Sequence, residues 1–129
     1  AKNIQYLGRL SHTEVRSEME RATVLLSPET APSCPNTVLE AMVAKLPVIG
    51  FNSGSIMELV DDDTLIIGNQ GLHKNPSAAE FDLMAEAAIT AINQRNKFAE
   101  AGYSRAKELF DIKLIGQKYA DVLGLNQTT

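Results

Sequence analysis

Two short stretches of this chain are apolar at every position, and that continuity narrows the fold more than any other feature. Val24-Leu25-Leu26 and Leu65-Ile66-Ile67 show no alternation of apolar and polar residues. Neighbouring side chains on a strand point to opposite faces, so an unbroken apolar run fits a strand covered on both sides. The apolar runs Ile4–Leu7, Thr23–Ser27, Val48–Phe51 and Leu65–Ile67 are separated by segments of helical character, His12–Arg21, Thr37–Lys45 and Ser55–Val60. This succession predicts an α/β domain with a parallel sheet of about four strands and flanking helices.

After the sheet the chain turns helical. Ser77 and Glu80 form an S-x-x-E capping box, with Phe81, Met84, Ala88 and Ile92 following at helical spacing. A second helix is expected over 96–110, with Phe98, Ala101, Arg105 and Leu109 along one side. Asp111 is placed to cap a last helix whose apolar positions are Ile112, Ile115, Tyr119 and Leu123. None of these helices carries a catalytic pattern, and they read as elements that pack on the sheet.

A chain of 129 residues has room for one core and not two. Its net charge of −4 argues against a nucleic-acid partner, which requires clustered Lys and Arg. Glu40, Lys45 and Pro47 interrupt the longest apolar stretches, so no bilayer span is expected. The opening AKNIQYLG lacks the layout of a secretory signal and reads as a strand entered abruptly, as in a piece cut from a longer chain. Cys34 stands alone, which excludes an internal disulfide and fits a reducing, cytoplasmic compartment. Any attachment to the inner face of a membrane falls to parts outside the chain. The two histidines and the cysteine show no metal-ligand spacing, so no metal is expected, and no other cofactor. The absence of tryptophan argues against a lectin-like module, where sugars stack on exposed rings.

The informative stretch is LLSPETAPSCPNTVLEAMVAKLPVIGFNSGSIMELV, from Leu25 to Val60. A buried strand ends at Ser27-Pro28, a proline-rich loop follows, and a helix opens near Asn36 or Thr37. Ligands of open α/β sheets bind outside the carboxyl ends of the strands. A helix N-terminus at that edge presents unpaired N–H groups and partial positive charge, so Asn36, Thr37 and Val38 are placed to donate to a phosphate. Glu40 has two readings. It closes a T-x-x-E capping box with Thr37, or it accepts hydrogen bonds from the hydroxyls of a ribose.

The string CPNTVLEAMVAKLPVIG followed by SGSIMELV resembles the family 4 glycosyltransferases and their retaining relatives of the GT-B fold. Their donor domain carries a pattern close to E-G-(C or F)-(P or G)-N-x-V-L-E-A-M-A-x-G-x-P-V-I, then G-G-x-x-E-(L or I)-(V or I). Upstream, IQYLGRLSHTEVRSEMERATVLLSPE is similar to the strand, helix and strand that lead into that site, so the likeness spans Asn3 to Phe110. The resemblance implies a Rossmann-like sheet in a partial C-terminal domain covering 1–129, and a nucleoside-diphosphate sugar as ligand. It sets Glu40 on the ribose and the backbone of Ser33 and Cys34 toward the donor sugar. Asn36, Thr37 and Val38 then lie beneath the diphosphate, with Gly54 and Glu58 on the glycine-rich turn and the acid after it. For Glu58 a cap or an ion pair is the preferred role.

The departures from the pattern matter equally. Eight residues before Glu40, where the family places its sugar-facing glutamate, this chain has Pro32, which cannot act as a carboxylate. Glu29, three residues earlier, is the weak substitute, with a solvated loop acid as its plainer reading. The catalytic residue therefore stays unassigned. Two β-α units that precede this part in the family, with their basic pair, are missing, as is the N-terminal acceptor domain. The open strand edges that result make a homo-oligomer an expectation, and the missing acceptor domain, toward which the last helix returns in the family, leaves Ile115, Tyr119 and Val122 exposed. Of the remaining cations, Arg9 and Lys45 lie near the motif in sequence, and His12 falls in a loop at the same sheet edge.

The expectation for the chain is thus part of a donor site for glycosyl transfer, inactive alone. The alternative is a non-catalytic module that binds a nucleotide sugar or a protein. A flavodoxin-like or receiver-like module would need acidic or glycine-rich loops near the N-terminus, and the loop Gly8–His12 offers neither.

Overall fold

A computed structural model describes residues 2–31, 33–61, 66–68 and 75–125. Pro32, Leu65 and His73 lie outside the described residues. The elements run α1 (His12–Arg21), β1 (Leu25–Ser27), α2 (Asn36–Val43), β2 (Val48–Phe51), α3 (Ile56–Leu59), β3 (Ile66–Gly68), α4 (Ala78–Asn93), α5 (Arg95–Phe110) and α6 (Ile112–Val122). The strands pair in the order β1-β2-β3, all parallel, with Leu25 opposite Val48 and Ile49 opposite Ile66.

The helices begin where their capping chemistry puts them. Ser11 accepts from the Glu14 N–H while Glu14 reaches back to the Ser11 N–H, a reciprocal box that opens α1. Ser77 and Glu80 repeat the box at α4, as their spacing predicts. Asp111 caps α6 by accepting from the Lys113 N–H at 2.8 Å. Hydrogen bonds from Ser11 hold the Glu14 carboxyl below the usual glutamate range. A depressed folded-state pKa contributes stability that is present above the unfolded value and lost as pH falls through the folded one. Glu14 is therefore expected to titrate below ordinary glutamates in a carboxyl NMR titration, and Ser11→Ala to raise it only part of the way, because alanine loses the hydroxyl but keeps the backbone N–H that is the larger cause. An unshifted Glu14 in the parent chain would show that the box does not form in solution.

Two apolar clusters sandwich the sheet. Val48 joins Val38, Ala41 and Met42 of α2, with Ile56, Leu59 and Ala106, on one face. Ile49 and Phe51 meet Met84 and Ala91 of α4 on the other. β2 is buried throughout, since helices cover both its faces and strands flank both its edges.

The four-strand expectation needs correction. Ile4–Leu7 forms no strand; Ile4 is 80% exposed and Tyr6 93%. A strand exists only where a neighbour takes up its backbone N–H and C=O groups, and none of the described strands stands beside this run. β1 is consequently the sheet edge, and it is not covered on both faces as the apolar run predicts. Leu25 packs into the α2 cluster, but Leu26 points the other way and remains 52% exposed, because α4 lies over β2 and β3. The helix stripes are also rotated from their expected phase. α4 turns Met84, Ala87, Ala88 and Ala91 to the core, leaving Phe81 and Ile92 half exposed. α5 buries Phe98, Ala99, Gly102 and Ala106. Small residues let both helices approach closely, which outweighs the burial of larger side chains beside them.

Side-chain contacts tie α5 to the ends of α3 and α2. Arg105 donates to the Leu59 carbonyl at 2.8 Å and to Asp61 at 2.9 Å. Lys45 follows α2 in the left-handed conformation (φ 56°), which helices commonly use at this position with glycine. There the Leu46 N–H donates to Ala41 O and the Lys45 N–H to Met42 O, while its ammonium meets Glu100 at 2.9 Å and stands 4.7 Å from the Tyr103 ring centroid. α6 buries no residue; Tyr119 and Val122 are exposed as expected, whereas Ile115 is half-buried.

Candidate functional site

The site forms where β1 and β2 end. The loop from Pro28 leads into α2, and the loop Asn52–Ser55 leads into α3. Proline fixes the entry to α2: Pro35 is its buried N-cap residue, at φ −77°, and no side chain caps the helix. The helix therefore starts at Asn36, and Thr37 lies inside its first turn. This removes the T-x-x-E box, because Thr37 no longer occupies the capping position. The Glu40 carboxylate is left exposed, with no hydrogen bond or ion pair to any described residue.

The structure sorts the expected ligand residues into three groups. Asn36 and Thr37 are exposed at the helix start, where their N–H groups donate to no described residue. Ser33 and Cys34 are exposed in the loop just before, with the Cys34 thiol 4.0 Å from Asn36 Oδ1. Val38 departs from the expectation. Its side chain is fully buried and its N–H donates to Pro35 O at 2.9 Å, so it packs the helix against the sheet and has no free donor.

Asn36 and Glu40 stand four residues apart, which places them one above the other on the same helix face. That face continues through Leu39 and Val43 into a groove of about 820 Å³ between α1, α2 and α5. Val15, Met19, Leu39, Ala106 and Phe110 give it apolar walls, and His12 and Glu40 line it as well. The groove thus joins His12, which opens α1 and does not lie in the expected loop, to Glu40, two residues far apart in sequence. The α5 wall was invisible to sequence reasoning, which treated that helix as packing alone.

Other expectations fare differently. Lys45 sits at the far end of α2, about 12 Å of helix from Asn36, and is engaged with α5. It does not serve the helix N-terminus. Arg9 is exposed. Glu58 lies in the first turn of α3, exposed and without an ion pair to any described residue, so the pairing expected for it is not made. Glu29 is exposed in the loop after β1.

Two features escaped the sequence reading. Ser55 donates its hydroxyl to the Ser33 carbonyl at 2.7 Å, tying the loop after β2 to the loop before α2. Beside it the Ser53 hydroxyl is buried without a partner among the described residues. A signal for Ser55 exists, since it stands on the second glycine of the G-G-x-x-E pattern.

Residues 1–105 match the family described as glycosyl transferases group 1. No curated protein matches the chain. Among solved structures, sucrose-phosphate synthase from Thermosynechococcus elongatus superposes with a TM-score of 0.77 at 17% identity, over 98% of this chain and 32% of that one. HepE of Anabaena, solved in complex with UDP and glucose, gives 0.70 at 21% identity over 93% of this chain and 31% of that one. The C-terminal domain of a group 1 glycosyl transferase, LpcC from Francisella tularensis, gives 0.62 at 20% identity, covering 84% of this chain and 53% of that one. The chain therefore spans under a third of the first two proteins. A shared parallel sheet, a helix start open at its carboxyl edge and a family match over residues 1–105 agree with one another: the chain belongs to the group 1 glycosyl transferases.

Proposed function

We propose that this chain supplies part of the donor site for glycosyl transfer from a nucleoside-diphosphate sugar. The observation that carries the reading is the shared face of Asn36 and Glu40, with N–H groups at one end and a carboxylate one turn on that are bonded to none of the described residues. A diphosphate at the helix start receives the Asn36 and Thr37 N–H groups and the positive end of the helix dipole. A ribose attached to it then comes level with Glu40, whose carboxylate accepts from vicinal hydroxyls. The base continues toward the groove and His12. The Ser33–Cys34 peptide lies on the opposite side of the phosphate, where the sugar extends.

In transfer, the helix N-terminus stabilises charge that accumulates on the departing diphosphate as the glycosidic bond breaks. Neutralising a full diphosphate also needs cations, and Lys45 is turned away from the helix start. The acceptor domain and the remaining cations are accordingly assigned to parts beyond this chain. Pro32 favours a second reading, in which the site binds a nucleotide sugar without transferring it.

Ligand-observed NMR of the chain with UDP, GDP, ADP and their glucose conjugates tests the proposal. Saturation transfer to the ribose protons of one nucleotide is expected, with affinity falling at least about tenfold in Glu40→Ala for loss of a charged hydrogen bond. Stability of that variant stays within about 0.5 kcal/mol of the parent, because Glu40 is exposed and bonded to none of the described residues. Undiminished binding by Glu40→Ala would sink the assignment.

A further inference from the structure

The bond from Ser55 to Ser33 joins residues 22 positions apart and bridges the two loops that frame the site. Its acceptor is the carbonyl of the peptide that links Ser33 to Cys34. A trans peptide is planar, with its C=O and N–H pointing in opposite directions. Fixing the Ser33 carbonyl toward Ser55 therefore also fixes the Cys34 N–H away from Ser55. That N–H donates to no described residue. It precedes the open Asn36 and Thr37 donors by two and three positions, and it belongs to an exposed loop that no regular structure holds. A hydrogen bond received at the carbonyl further polarises the amide and strengthens the N–H as a donor.

We propose that Ser55 is a positioning residue that aims the Cys34 N–H at the sugar moiety of the donor, setting sugar affinity apart from nucleotide affinity. The proposal rests on the donor-site reading above and adds a division of labour to it. Asn36 and Thr37 hold the diphosphate whatever is attached, whereas the Ser33–Cys34 peptide senses the sugar through an orientation that the second loop imposes. Ser55 touches no substrate and acts through the peptide it holds.

Ser55→Ala and Ser55→Thr, the second keeping the hydroxyl, test the idea with UDP and UDP-glucose as probes. In ¹⁵N spectra of the free chain, Ser55→Ala is expected to shift the Cys34 amide and speed its hydrogen exchange several-fold, with dispersion elsewhere unchanged. Its affinity for UDP-glucose is expected to fall about tenfold, the effect of one hydrogen bond of this kind, and that for UDP by less than about twofold. Ser55→Thr restores both. An unmoved Cys34 amide, equal weakening of both ligands, or failure of the threonine variant would each overturn the proposal. Parent protein that binds none of UDP, GDP, ADP and their glucose conjugates would overturn the donor-site reading itself, whereas an unmoved Cys34 amide would overturn the Ser55 step alone.

Discussion

Replacing Phe51 with alanine is expected to lower the unfolding free energy by about 3–5 kcal/mol, the range for a large aromatic removed from a packed core. Phe51 is fully buried at the end of β2, on the face that α4 covers. Its ring meets Phe81 edge-to-face, with centroids 5.7 Å apart and planes at 78°. The residues around it cannot close the hole. Met84 and Ala91 are fixed on a helix of 16 residues, and Ile49 is fixed on the same strand. Removing the ring thus forfeits its transfer from water and leaves a cavity as well. Against a total of about 5–15 kcal/mol for a domain, this is a large share of the stability. Urea denaturation should show a much lower midpoint at unchanged slope. A loss below about 1 kcal/mol would mean that α4 does not pack here as described.

Gly50→Ala is expected to destabilise by about 1–3 kcal/mol, opposite in sign to the usual gain when a strand glycine acquires a side chain. Gly50 is not needed for its backbone, since among the described residues the glycines with positive φ are Gly8, Gly54 and Gly124. It is needed for space. A Cβ there would stand 3.1 Å from Ile56 Cδ1 and 3.2 Å from the Ser27 carbonyl. Ile56 can yield by a rotamer change, but Ser27 O is backbone of the paired strand β1, held in register opposite Gly50. Relief of that contact must therefore come from the spacing of β1 and β2, which their parallel pairing resists. The variant should lose denaturant resistance and shift the amides of Ser27 and Gly50 together. A neutral or stabilised Gly50→Ala would contradict the close approach of β1 and β2 at this point.

Legibility in the sequence followed the range of the interactions involved. The box at Ser77 and the cap at Asp111 were readable because a cap is settled by residues within one turn. The helix over His12–Arg21 was readable from its place between two apolar runs, although its Ser11–Glu14 box was not picked out. Thr37 and Glu40 had the spacing of a box, but Pro35 started the helix two residues early and took the cap position from Thr37. Ile4–Leu7 was misread because strand formation depends on a neighbour that no local pattern reveals. Leu26 was misread because an edge strand and a central strand differ only in what lies beside them. At the site, Asn36 and Glu40 were legible from the motif and its resemblance. The α5 wall and the Ser55–Ser33 bond were not, since both join segments that only the packed sheet brings together.

The two apolar clusters share a single strand, and this has a consequence for how the site endures. Val48 serves one layer and Ile49 and Phe51 the other, so neither can melt while its opposite number stays intact. A sandwich joined this way behaves as one cooperative unit, with the β2 amides opening only when the whole opens. The donors at the start of α2 rest on that unit through Val38 and Met42. A lesion under α4, on the far side of the sheet from the groove, is therefore felt as a lost fraction of molecules in which the start of α2 is formed, although no atom there has changed.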